Sequence, residues 1–365
     1  MFGDVLFSPE QRVFSHKDGD IAKQFIHWRS FGFDQLKRGN LALWNPYIFS
    51  GMPYFGESQS ALLYPLNIVY LFFPLTKAIN ISITLHVFLV GLFMLLWTAY
   101  RKLHPLACFL SSALLMFCGA HFMHIYAGHL PNLCTMIWAP LLFLSIDGLL
   151  DKKSLGWYLL GVTSVTMQIL AGHPQYVFYI GICAMLYAGL CAIKIKERAK
   201  FIGCFIGIYI GAIALSAVQL FTSMQAASES VRSGGLLYDF ASSFSFPIEN
   251  LITILAPGFF GDNITLTYWG QYYLWEMIIF ISVTGFMLTL YAVFNAEKNI
   301  RRFAVTMALV CIVLALGRHT PLFKLLYTWI PGFNLFRGSS KFIFPASLFI
   351  IMLAGIELDN IRHSK

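Results

Sequence analysis

From residue 76 onward the chain alternates long apolar runs with loops, and every second loop is short and basic while the others are almost free of lysine and arginine. The runs cover 79–100, 105–123, 130–149, 155–171, 174–193, 201–221, 273–294, 303–316 and 342–358. Most approach the roughly 20 residues that a helix needs to cross hydrocarbon, where each backbone polar group must be satisfied within the segment. The pattern predicts an all-α integral membrane protein with about nine transmembrane helices. Arg101 and Lys102, Lys152 and Lys153, Lys194 with Lys196, Arg198 and Lys200, then Lys298 with Arg301 and Arg302 fill alternate loops. The loops between them, at 124–129 and 172–173, hold neither residue type. Basic loops stay in the cytoplasm, so the C-terminus is expected inside and residues 1–75 outside.

Two regions follow: an extracytoplasmic segment, 1–75, and a polytopic domain, 76–365, with a long outer loop at 223–272. In the first, Ile21, Phe25, Trp28 and Leu36 against Lys23, Gln24, His27, Ser30 and Asp34 have helical spacing. This predicts an amphipathic helix over 20–38 lying along the membrane surface, started by Asp18 or Asp20 and closed by Gly39. The apolar run 59–75 is short and broken by proline, which suits an interfacial or re-entrant piece. The second half of the outer loop, broken by Pro247 and Pro257, is expected to dip back onto the membrane. Met1 opens directly into the polar outer segment, so a further helix is expected to precede it.

Composition agrees. The chain is 58% hydrophobic and 12% charged, with a mean hydropathy of +0.69, beyond what a soluble domain of this length carries. Much of the net charge of +8 sits in the basic loops, where it orients helices and meets lipid head groups. No basic stripe interleaved with stacking aromatics remains, which excludes nucleic acid as a partner. All seven cysteines fall in apolar runs without ligand spacing and read as small hydrophobes.

Four stretches carry a resemblance. They are the segment 18–67, which opens DGDIAKQFIHW and ends ALLYPLN, the run ILAGHPQYVFY at 169–179, FPIENLITILAPGFFG at 246–261, and NLFRGSSKFIFP at 334–345. Together they resemble the YfhO family of bacterial membrane proteins, nearly end to end. That family is similar to the C-type (GT-C) glycosyltransferases that use polyprenyl-phosphate sugars, and some members are implicated in decorating cell-envelope polymers. Its members usually begin with a transmembrane helix before the acidic motif and continue past this C-terminus, so the chain is expected to be an amino-terminal core. The resemblance implies residence in the bacterial cytoplasmic (inner) membrane and an inverting hexosyl transfer to an extracytoplasmic glycan or polymer. It also implies that a carboxylate in the first outer loop is the general base, a place Asp20 occupies, with Asp18 in reserve. A helix cap is the plainer reading of either.

Arg337 and Lys341, at a helix start on the outer side, where the loops hold few other basic residues, are candidates for the donor phosphate. The alternative is an interfacial anchor. His129, His173 and Gln175 are candidate ligands for sugar hydroxyls. With His121 and His124 they raise the possibility of a divalent ion, although no carboxylate is near in sequence, so no cofactor or metal is assigned. Glu276 is expected to face the protein interior and orient substrate, or to pair with Arg232 or Lys341. A transporter or lipid flippase is the rival function, but polar residues gather at the outer face while His86, Asp147, Gln168 and Gln219 are scattered. A non-catalytic subunit of a glycosylation system is the third.

Overall fold

The computed structural model describes residue 6 and residues 12–16, 18–193, 195–230, 233–296 and 298–363, with only the backbone for 298–301. Lys194, Arg232 and Lys365 lie outside the described residues. The chain is mostly helical, and among the described residues the one two-stranded pairing joins Trp44–Asn45 to Met52–Pro53.

After a π-turn at Ile21–Phe25 comes helix α1, Ile26–Lys37. The long apolar elements follow as α2 (Leu75–Tyr100), α3 (Pro105–Met116), α4 (Gly119–Ala127), α5 (Leu130–Met136), α6 (Ala139–Asp151), α7 (Leu155–Leu170), α8 (Pro174–Ala192), α9 (Arg198–Leu215) and α10 (Ala217–Ser228). The chain ends with α11 (Val283–Asn295), α12 (Lys298–Ala315), α13 (Pro321–Trp329) and α14 (Ile343–His363). Among the described residues, 6 helical stretches are long and apolar enough to cross a membrane: Leu75–Tyr100, Pro105–Ala127, Leu130–Asp151, Pro174–Ala192, Arg198–Leu215 and Ser339–His363. Helices Leu155–Leu170, Val283–Asn295 and Arg302–Ala315 stand where three more passes are predicted but are shorter.

Several starts are fixed by local chemistry. Proline opens α3 and α8, where its missing N–H costs nothing. The preceding His104 and His173 each accept a backbone N–H, from Leu106 and Tyr176. The predicted run 273–294 becomes helical only at Val283, because its first ten residues spend their polar groups on neighbours instead. Met277 O accepts from Asn250 Nδ2 (2.9 Å), Ile279 N–H donates to Thr253 Oγ1 (3.1 Å) and Phe280 O accepts from Gly119 N–H (2.7 Å). The run 201–221 breaks at Ser216 and continues as α10.

Polar contacts gather at the two ends of the bundle. At one end Arg101 pairs with Asp147 (2.9 Å), Tyr100 bonds Asp151 (2.7 Å), Lys153 pairs with Glu197 (2.9 Å), and Asp359 accepts from His104 N–H (2.8 Å). The other end carries residues 12–70. There the apolar side of α1 is covered by protein: Trp28, Phe33, Tyr54 and Tyr70 form a small core with Ile79, Ile83 and Val87 of α2. Arg29 is buried in it, donating to the carbonyls of Gln59 and Ser60 between the rings of Phe25 and Tyr70.

Candidate functional site

Asp20 precedes the π-turn but makes no side-chain cap bond. Its Oδ2 lies 3.2 Å from His129 Nε2, and the carboxylate remains half exposed at 51%. The placement depends on Gly128, whose φ of +81° suits glycine and whose Cβ, if present, would lie 2.6 Å from Ile21 N and 3.0 Å from Asp20 N. The turn that ends α4 is thus docked onto the backbone of Asp20. Asp18 is exposed, and its side chain has no partner among the described residues.

Behind Asp20 runs a polar chain. His129 Nδ1 meets His124 Nδ1 at 3.0 Å, and His124 Nε2 meets Tyr176 Oη at 3.1 Å. In every assignment that satisfies the links His129 Nε2–H donates to Asp20, while the direction of the two inner bonds follows the tautomers of the histidines. All four ring nitrogens of the two histidines are engaged in this chain. Among the described residues no group of three or more His, Cys, Asp or Glu side chains is placed to hold a metal ion.

His173 packs close by. Burial, reinforced by Lys341 and His129, holds its pKa well below the usual histidine range, so it is neutral at pH 7 and accepts the Tyr176 N–H at 3.2 Å. Gln175, on the next residue but one, donates to the carbonyls of Arg337 and Gly338. It therefore shapes the 337–341 turn from within.

Lys341 and Glu276 form a 2.6 Å ion pair whose side chains are 9% and 10% exposed. Gly338, at φ +83°, lets the backbone approach this pair: a Cβ there would stand 3.3 Å from Lys341 Nζ and 3.8 Å from Glu276 Oε2. Arg337 has no acidic partner among the described residues. Its guanidinium lies between the rings of Phe240 (4.8 Å) and Phe244 (5.0 Å).

Aromatic contacts join the two halves. Phe244 packs on Tyr273 (5.3 Å), Tyr273 stacks on Trp275 (4.9 Å), and Trp275 meets the edge of His129 (6.0 Å). A continuous run of rings thus connects Arg337 to the partner of Asp20. Sequence reasoning missed Tyr176, Tyr273, Trp275 and Phe244. Tyr176 lies inside one of the four resemblance stretches, and Trp275 adjoins Glu276, but no spacing sets either apart.

Beside this end opens an apolar groove of about 630 Å³, lined by α7 to α10 residues including Val165, Val177, Phe178, Gly181, Tyr209 and Phe221, with Ser58, Gln219 and Ser223 as its polar members. Ser58 and Ser223 are bonded at 3.2 Å, and Gln219 Nε2 donates to the Phe55 carbonyl at 2.9 Å. These contacts tie the groove to the 12–70 segment. Phe178 in the groove wall also touches Phe336 (5.5 Å), the neighbour of Arg337.

The sequence model of a family described as "Bacterial membrane protein YfhO" matches residues 12–365, and the chain belongs to that family. No curated protein and no solved structure matches the chain.

Proposed function

We propose that this YfhO-family chain is a C-type membrane glycosyltransferase that moves a sugar from a polyprenyl-phosphate donor to an extracytoplasmic cell-envelope acceptor. The observation that carries the reading is the set of features at one end of the bundle, joined by ring contacts from His129 through Trp275, Tyr273 and Phe244 to Arg337. On that side lie a half-exposed carboxylate held by a histidine, an arginine without an acidic partner among the described residues, and, linked to the arginine's neighbour through Phe178 and Phe336, an apolar groove among the membrane helices. A donor with a charged phosphate and a long hydrocarbon tail needs those last two features together.

The reaction is a single displacement with inversion. The acceptor oxygen attacks the anomeric carbon while its proton passes to Asp20, and the bond from that carbon to the phosphate oxygen breaks with its electron pair leaving on the phosphate. Arg337 offers a planar fork of donors to the departing charge. Lys341 adds a second positive charge, shared with Glu276. His129 orients the Asp20 carboxylate by an N–H donated to one oxygen, which leaves the other oxygen for the acceptor. His173 and Gln175 shape the wall where the sugar would sit, and no cofactor is required. Two of the scattered intramembrane polar groups that a transporter would need are committed to structure, His86 to Tyr64 (2.9 Å) and Asp147 to Arg101.

Asp20→Asn tests the proposal. Asparagine keeps an oxygen for His129 but cannot take a proton at neutral pH. Release of polyprenyl phosphate should fall by about 100-fold or more at equal amounts of folded protein, with Asp18→Asn milder. Equal turnover in Asp20→Asn and the parent would remove Asp20 from the mechanism.

A further inference from the structure

Helix α11 has 13 residues, so it rises about 20 Å and leaves roughly 10 Å of a hydrocarbon layer about 30 Å thick uncovered at its Val283 end. The chain just before it fills that interval in non-helical form, with Met277, Ile278, Ile279 and Ile281 all buried. Backbone of this kind survives at membrane depth only where protein satisfies it. Two of its partners, Asn250 and Thr253, come from a single 3₁₀ helix, Ile248–Ile254. That helix must sit at the depth of the residues it bonds.

Its other side is apolar and bare. Ile248, Ile252 and Leu255 are exposed, and the exposed apolar surface continues in Phe259, Ile264, Leu266 and Trp269. From 233 to 282 the sequence contains no lysine, arginine or histidine. In water such a surface would be a liability. Beside α11, whose own Val283, Met287 and Leu290 are exposed along a membrane-crossing direction, it continues a lipid-facing wall. The two acids within 248–269 are hydrogen-bonded: Glu249 accepts from Gln271 (3.2 Å), and Asp262 accepts the N–H groups of Ile264, Thr265 and Leu266.

We infer that residues 248–269 form a re-entrant foot inserted into the bilayer leaflet, completing the half-span of α11, and that its partner is lipid. The foot holds the 277–282 segment in place, and through it the Trp275 and Glu276 side of the site, without depending on which reaction the site performs.

Nitroxide accessibility in phosphatidylcholine bilayers tests this on the full chain. Labels are placed at Ile252→Cys, at Met287→Cys as the lipid-facing reference, and at Asn40→Cys as the aqueous one. The background carries Cys191→Ala and Cys204→Ala, since the other native cysteines are buried. At Ile252, as at Met287, collisions with oxygen should exceed those with a nickel chelate several-fold. A label at Ile252 that follows Asn40, or one shielded from both reagents by a second copy or another protein, would overturn the inference. Leu255→Cys gives the same reading should Ile252→Cys fail to fold.

Discussion

A guanidinium in contact with aromatic rings still has N–H groups to offer to an anion, and Arg337 Cζ lies within 5.0 Å of the ring centroids of both Phe240 and Phe244. Lysine at 337 keeps the charge but loses both the fork and the stacking. Arg337→Lys should therefore raise the donor KM, and Arg337→Ala should raise it further, by about 10- to 100-fold if a charge-assisted bond has its usual weight of roughly 1.5–3 kcal/mol. Unchanged donor dependence in both folded variants would mean that Arg337 only anchors the turn. At this scale the sequence names chemistry without contacts. It marks Asp20 as either cap or base, and the cap bond is not made. It leaves Glu276 with two possible partners, and the pairing is with Lys341. Tyr176 and Trp275 stay hidden because one tyrosine or tryptophan among many carries no local signal, and their roles arise only when α4, α8 and residues 273–276 meet.

At the scale of elements, hydropathy locates nearly every helix because apolar length is a direct consequence of crossing hydrocarbon. It misplaces ends wherever tertiary bonds compete with the helical ladder. Residues 273–282 are apolar enough to be read as helix, yet Asn250, Thr253 and Gly119 take their backbone groups. The predicted amphipathic helix forms at α1 but turns its apolar face to Tyr54, Tyr70 and α2 rather than to lipid, since the periodicity of one helix cannot say what covers it. The groove among α7 to α10 is a property of packing and leaves no mark in the sequence. Gly181 lines it, and a Cβ there would meet nothing closer than Tyr209 Oη at 3.6 Å. Gly181→Ala should therefore match the parent, while Gly181→Trp should fill the groove and raise the KM for a long-tailed polyprenyl donor by about 10-fold, the equivalent of roughly 1.4 kcal/mol. A Trp variant with parental KM would show that the tail lies elsewhere.

Taken as a whole, the molecule separates two kinds of polar chemistry along one axis. The Arg101 end is closed by ion pairs and hydrogen bonds between loops, among them Arg101 with Asp147 and Lys153 with Glu197. The Asp20 end keeps a half-exposed carboxylate bonded to His129 and a guanidinium without an acidic partner among the described residues, beside a groove that leads toward lipid. Under the proposed function, the charged head and the apolar tail of the donor are both satisfied at this end. The most direct measurement is donor turnover by the purified chain reconstituted in liposomes with a polyprenyl-phosphate-linked sugar labelled in the hexose, together with an envelope polymer fraction as acceptor. The account expects the label to leave the lipid and appear on the polymer, with one polyprenyl phosphate released per sugar, only when the chain is present. Label that stays on the lipid, or that crosses the bilayer still attached to it, would contradict the account.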